Sequence, residues 1–126
     1  MAKRSNKQNP FLGLWRIVSM DQFEQDYVNA EDQAFIEFDE SGGGEFHFGY
    51  VHGDMDCRLT TRDGEPAIEW SWEGNDEMDP CTGRGWAVLK ADELHGIIFF
   101  HQGDESSFVA KRAKAQKRPK KKQRGG

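Results

Sequence analysis

Arg84 is the side chain in this sequence best suited to hold a ligand. It shares strand parity with Trp86 and Val88 in Gly83-Arg-Gly-Trp-Ala-Val88. A guanidinium offers a planar fork of donors that matches a carboxylate or a phosphate. If that parity faces the inside of the fold, Arg84 sits at one rim among aromatic neighbours. Trp70 and Trp72 of Ile68-Glu-Trp-Ser-Trp72, Trp86 itself, and Tyr50 of Phe46-His-Phe-Gly-Tyr50 would line the same space. The competing roles for Arg84 are an ion pair with an acid such as Glu69 or Asp76, because a chain with 22 acids offers many partners, or a solvent-facing rim cation.

Other constellations carry less. His101, Asp104, Ser106 and Ser107 have the residue types of a nucleophilic triad, but they fall within one turn, where nucleophile, base and orienter are hard to arrange. They read instead as turn chemistry, with Gly103 supplying a positive φ. His47, His52, His95 and His101 are scattered. His95 and His101 are six residues apart, roughly 20 Å in an extended strand, too far to share one metal. His47 and Cys57 would meet across neighbouring strands, but two ligands are not a site. The acidic run Glu73-Gly-Asn-Asp-Glu-Met-Asp79 lacks the spacing of a calcium loop and reads as a solvated loop. No phosphate loop, dinucleotide fingerprint or reactive-cysteine motif occurs. The sequence therefore implies no catalysis, no metal and no cofactor.

The elements that position these residues are strands. Turn signals at Ser41-Gly-Gly-Gly44, His52-Gly-Asp54, Asp63-Gly64, Gly74 to Gly83, Ala91-Asp-Glu93 and Gln102-Gly-Asp104 mostly recur about 11 residues apart, one strand plus one hairpin turn. The segments between them alternate. Ile68, Trp70 and Trp72 share one face, Phe46, Phe48 and Tyr50 another, and Met55, Cys57 and Leu59 a third. Eight strands are predicted near 11–20, 34–40, 45–52, 54–61, 66–73, 83–90, 94–101 and 106–112. Short links imply an antiparallel meander. Eight such strands most simply close into an up-and-down barrel, with a two-sheet sandwich as the alternative. The fold class is all-β. The one long connection, Asp21–Gln33, predicts a short helix with Asp21 and Glu24 as N-cap and N3 of a capping box. Trp15, Phe46, Phe48, Tyr50, Trp70, Trp72 and Trp86 form the predicted inward set. Their bulk competes with the space a ligand would need.

Charge divides the 126 residues. Residues 11–110 hold five of the 17 cations and all 22 acids, a charge of −17. Residues 1–10 carry three cations and residues 111–126 carry nine, with no acid in either. The domain plan is a basic tail at 1–10, an acidic barrel at 11–112 and a basic tail at 113–126. The tails lack the apolar content to offset their ordering entropy and are expected to be disordered. A face at −17 does not attract phosphate, so nucleic acid is expected only at Lys117, Arg118, Lys120, Lys121, Lys122 and Arg124, without sequence specificity. That tail is also placed to dock on its own acidic domain. No apolar run is long enough for a membrane span, and Arg16 interrupts Phe11–Met20 as a signal segment. Two cysteines, Cys57 and Cys81, make no disulfide framework. The expectation is a cytoplasmic protein. The first strand and Ile97-Ile-Phe-Phe100 are apolar on both faces, and in a closed meander both flank the last strand. Leu14, Val18, Ile97 and Phe99 are therefore the predicted homodimer interface, with cover by the 21–33 helix as the alternative.

Gly13-Leu-Trp15 on the first strand, with Phe108-Val-Ala-Lys-Arg112 ending the last, resembles the calycin pattern of lipocalins and fatty-acid-binding proteins. The resemblance spans 11–112. It implies that Trp15 plugs one barrel end with Arg112 or Lys111 across its ring, and that the barrel carries a small ligand. The Arg-x-Tyr that holds a fatty-acid carboxylate in that family is missing from 106–112, and so is the lipocalin C-terminal helix. The blocks Glu69–Glu77, Gly83–Ala87 and His101–Asp104 are also similar to a group of small bacterial proteins of unassigned function. The expected activity is non-enzymatic binding of a small, partly apolar or anionic molecule. The alternative is an interaction protein whose cationic C-terminal tail binds nucleic acid or an acidic partner.

Overall fold

The structure, a computed structural model, describes residues 9–113. The tail residues Lys117, Arg118, Lys120, Lys121, Lys122 and Arg124 lie outside them. Eight strands follow in order: β1 (Gly13–Met20), β2 (Phe35–Phe38), β3 (Gly43–Phe48), β4 (Val51–Arg62), β5 (Glu65–Asp76), β6 (Asp79–Lys90), β7 (Glu93–Phe100) and β8 (Glu105–Arg112). Each pairs antiparallel with the next, and β8 returns to β1, closing the barrel. Closure pairs the first and last strands, so among the described residues the sheet has no edge strand. One short helix, α1 (Gln25–Val28), lies between β1 and β2. No helix among the described residues is long and apolar enough to cross a membrane.

Alternation sets the inside. On β5, Ile68, Trp70 and Trp72 are buried while Glu69, Ser71 and Glu73 are exposed. The pairing Trp70↔Gly85 and Trp72↔Gly83 places a glycine beside each indole. A Cβ on Gly85 would fall 2.5 Å from Trp70 Cζ2, and one on Gly53 2.5 Å from Phe46 Cζ. Large residues on one strand thus fill the space left by glycines on its neighbour, as small barrels require. This reverses the predicted parity of β6. Gly83, Gly85 and Ala87 point inward, and Arg84, Trp86 and Val88 lie on the outer face.

Aromatic rings fill the interior from end to end. Phe11 meets Phe38 at 6.3 Å, Phe38 meets Trp70 at 5.6 Å, Phe46 meets Trp72 at 5.0 Å, and Trp72 meets Phe100 at 5.2 Å. Trp72 Nε1 donates to the Phe99 carbonyl at 3.2 Å. At one end Trp15 is buried, its Nε1 donating to the Phe11 carbonyl at 2.9 Å. The Arg112 guanidinium lies 4.0 Å from the Trp15 ring centroid and donates to the carbonyls of Leu12 and Pro10. At the other end α1 presents Val28, and with Phe23 and Tyr27 covers Phe48 and the β3–β4 turn.

Three segments depart from the sequence reading. The β3–β4 turn is Gly49-Tyr50, and His52-Gly-Asp54 runs inside β4. Gly49 has φ +58°, and a Cβ there would land on the Tyr27 ring. Tyr50 is therefore a half-buried turn residue, edge-on to Tyr27 at 5.8 Å, and not part of the inner wall. The acidic run 73–79 is mostly strand, the ends of β5 and β6 meeting at a tight hairpin. Asp21 is not the N-cap of α1, a position held by Glu24. Its carboxylate instead accepts from the Ser107 N–H at 2.8 Å and the Ser106 hydroxyl at 3.1 Å, tying β1 to β8.

These bonds have a pH signature. The Ser107 N–H, with the Ser106 hydroxyl, holds Asp21 below the ordinary aspartate value of 3.8. The Ser41 hydroxyl, with the Gly43 and Ser41 N–H groups, does the same for Asp39. A depressed carboxylate contributes stability that is present above its unfolded pKa and lost as pH falls through the folded one. Wild type should therefore lose stability below about pH 4. The Asp21→Asn/Asp39→Asn double variant should show a shallower acid slope in urea melts. Parallel slopes would remove these two groups from the acid response.

Candidate functional site

The outer wall of β4 to β7 is built in rows. One row runs Asp56, Ser71, Arg84, Phe99, and the next Arg58, Glu69, Trp86, Ile97. These residues share the solvent-facing parity, opposite to Trp70 and Trp72. At the end of β4, Arg62 reaches diagonally over β5, and its guanidinium lies 3.7 Å from the Trp86 ring centroid. A cleft of about 840 Å³ opens on this wall, bordered by Arg58, Arg62, Arg84, Trp86 and Phe99. Asp56 and Glu69 line it too. A second concavity of about 740 Å³ shares Arg62 and Trp86 and continues over Val88, His95, Ile97 and Val109. The stacked Arg62–Trp86 pair is the ridge between them.

The charge of the larger cleft is anomalous for this surface. Three of the five cations in residues 11–110 stand around it. Among the described residues, none of the three guanidinium groups lies within 4 Å of a carboxylate; the ion pairs that do form join Glu31 to His47 and His52, and Glu93 to His95 and Lys111. So of the two expected alternatives for Arg84, the structural ion pair with Glu69 or Asp76 is not what its surroundings provide, and a solvent-facing cation is. Arg84 is exposed and Trp86 half-buried. An unpaired guanidinium can present its fork to an incoming anion, and a partly covered indole offers a ring face for an apolar or planar group.

The predicted ligand residues separate accordingly. Arg84 and Trp86 come together, outside the barrel. Trp70 and Trp72 are 4% and 3% exposed, with their indoles turned inward behind the cleft as core. Tyr50 lies in the β3–β4 turn. Arg58 and Arg62 are not among the predicted ligand residues; their signal is the even spacing with Asp54 and Asp56 on the polar face of β4.

The predicted dimer residues separate as well. β1 and β7 do flank β8. Val18 sits in a bulge of β1 and is 40% exposed, and Ile97 and Phe99 are half-buried on the outer face. Leu14, however, lies beside Ala113, whereas Ile97 is opposite Ser107. Six residues along one strand is about 20 Å. Leu14 is thus displaced from Ile97 and Phe99 by the stagger of strands around a closed barrel, and Val18, four residues along β1 from it, stands between them.

Neither thiol is an activated nucleophile. Burial, with Asp39 and Asp56 nearby, pushes Cys57 up to about 12. Burial, Asp76 and Asp79 raise Cys81. Ser106 is buried and bonded to Asp21 and the Gln22 N–H.

The histidines are not all scattered. His47 and His52 stand directly opposite each other across the β3–β4 hairpin, with ring centroids 4.0 Å apart. Glu31, from the link between α1 and β2, brings Oε1 to 3.1 Å from His47 Nε2 and 3.3 Å from His52 Nε2. The turn predicted at His52–Asp54 would separate the two histidines, whereas the strand found there pairs them.

Compared with protein-family models, with curated proteins and with solved structures, the chain matches none.

Proposed function

We propose that the protein is a non-enzymatic binding module whose outer wall takes a small anionic molecule with an aromatic or apolar part. The observation that carries this reading is the convergence of Arg58, Arg62 and Arg84, free of carboxylate partners among the described residues, around Trp86 and Phe99. In this role Arg84 and Arg58 hold the anionic group, and Trp86, oriented by Arg62, packs the apolar part. Burial of such a ring face contributes about 25 cal/mol per Å². Small size follows from the surroundings: Asp54 and Glu73 border the rows on one side, Glu105 lies beyond Phe99, and Glu65 is opposite Arg62. A long polyanion would cross these acids. The calycin likeness supports the architecture, with a helix between the first two strands and Arg112 over Trp15 at one end. It does not support the usual interior ligand position, because aromatic rings occupy that space.

Anilinonaphthalene sulfonate, an anionic aromatic fluorophore, is a direct probe. Its fluorescence should rise on saturable binding to the folded protein. Arg84→Gln should weaken that binding about tenfold, the scale of one charged hydrogen bond, and Arg58→Gln/Arg84→Gln further. Equal affinity in wild type and double variant would defeat the proposal.

A second copy of the chain is the other candidate occupant of this wall, favoured by Val18 standing 40% exposed beside Val109 and by the half-buried Ile97 and Phe99 on the same outer face. Light scattering on the eluting protein decides between them: a dimer that Ile97→Lys/Phe99→Lys converts to monomer supports self-association, and a wild-type monomer at micromolar concentration excludes it.

A further inference from the structure

We infer that Glu31, His47 and His52 form a binding site for one divalent transition-metal ion of the zinc class. One ring nitrogen from each histidine and one carboxylate oxygen lie within 4.8 Å of one another. With metal–nitrogen and metal–oxygen bonds of about 2.0–2.2 Å, a tetrahedral site has ligand edges of about 3.3 Å. The two nitrogen–oxygen separations here are 3.1 and 3.3 Å. Two imidazoles with one carboxylate suit zinc, cobalt or nickel better than calcium or magnesium, which prefer oxygen throughout.

The fold holds this triangle by independent means. His47 and His52 face each other because the two-residue turn Gly49-Tyr50 fixes the register of β3 and β4. The His47 ring is buried and meets the Phe35 ring edge-on at 6.2 Å, so its direction is set by packing. Its Nε2 is also 3.1 Å from the Gly49 carbonyl, which brings a further oxygen to the same nitrogen. Glu31 follows α1, whose Val28 carbonyl accepts from the Gly49 N–H at 2.8 Å, so the link carrying Glu31 is anchored to the turn between the histidines. The planes of the imidazoles differ by only 15°. A shared metal requires them to converge, and the His52 side chain, 60% exposed, is the one free to tilt. The metal would replace the ring protons now directed at Glu31 and cross-link the β3–β4 hairpin to the segment covering that barrel end.

The test is calorimetric titration of Zn²⁺ into the full chain, beside His52→Ala, Glu31→Gln and His95→Ala. The first two positions are exposed, so their substitution leaves the core intact. His95 with Glu93, 3.1 Å apart, is a two-ligand pair elsewhere on the surface and serves as control. One equivalent should bind with saturation. His52→Ala and Glu31→Gln should each weaken binding at least tenfold, and His95→Ala should leave it unchanged. Ring-nitrogen NMR should show Nε2 of both His47 and His52 shifting together. Weak binding of several equivalents, equal in all four proteins, would assign the metal to surface carboxylates and overturn the site, as would the absence of heat and shifts.

Discussion

Trp72→Ala is expected to cost about 3–5 kcal/mol, the range for removing a large aromatic from a packed core, out of about 5–15 kcal/mol for a whole domain. Trp72 is 3% exposed, meets Phe46 and Phe100 edge-on, and donates its Nε1 hydrogen to the Phe99 carbonyl. Its neighbours across the sheet are Gly83 on β6 and Met55 on β4, with Gly53 also close to the ring. The two glycines have no side chain to swing into the void, whereas the flexible Met55 side chain can shift toward it, which places the cost in the lower part of that range. Trp70 provides the contrast. It is as deeply buried, but its Nε1 has no partner. A buried donor without an acceptor costs about 1–3 kcal/mol. Trp70→Phe relieves that cost while losing volume, whereas Trp72→Phe loses both volume and a bond. Urea denaturation followed by far-ultraviolet circular dichroism should therefore rank Trp72→Phe as the more destabilised, by about 1 kcal/mol or more. Equal midpoints would mean that the Phe99 bond contributes nothing net.

That contrast also shows what the sequence can tell. Ile68, Trp70 and Trp72 were legible as an inner face because apolar and charged residues alternate cleanly along β5. The barrel followed from the even spacing of turn signals. Arg112 over Trp15 followed from a family likeness and from the chemistry of a cation on an indole. Reading failed where glycine occupied an inner position. Hydropathy places Arg84, Trp86 and Val88 inside because they outweigh Gly83 and Gly85, yet a glycine is what an inner position needs when the adjacent strand supplies an indole. The cleft was missed for this reason, since its wall is the face assigned to the interior. The Glu31–His47–His52 cluster was missed for a related one. Gly53 looks like a turn residue, but it is a strand residue whose missing side chain makes room for Phe46 and Trp72, and moving the turn to Gly49-Tyr50 pairs the two histidines.

The parity of β6 predicts opposite outcomes for two adjacent residues. Gly85→Val drives two methyl groups into the Trp70 indole, which is pinned by Phe38 on its other side. Overpacking of that kind costs about 3 kcal/mol, the upper end of its usual range. Trp86→Ser, on the outer wall, loses the Arg62 stack, about 0.5–1 kcal/mol, and some apolar cover over Ala67 and Val88, so the fold should survive with a loss near 1–2 kcal/mol. It should nevertheless abolish most of the anilinonaphthalene sulfonate signal, since the ring face of the cleft is gone. Were Arg84, Trp86 and Val88 the inner face, the order would invert. Trp86→Ser would then leave a buried cavity worth about 3–5 kcal/mol, and Gly85→Val would gain strand propensity on an exposed face. Melting both variants beside wild type distinguishes the two parities without any ligand. Probe binding by folded Trp86→Ser then separates the cleft's chemistry from the stability of the wall that carries it.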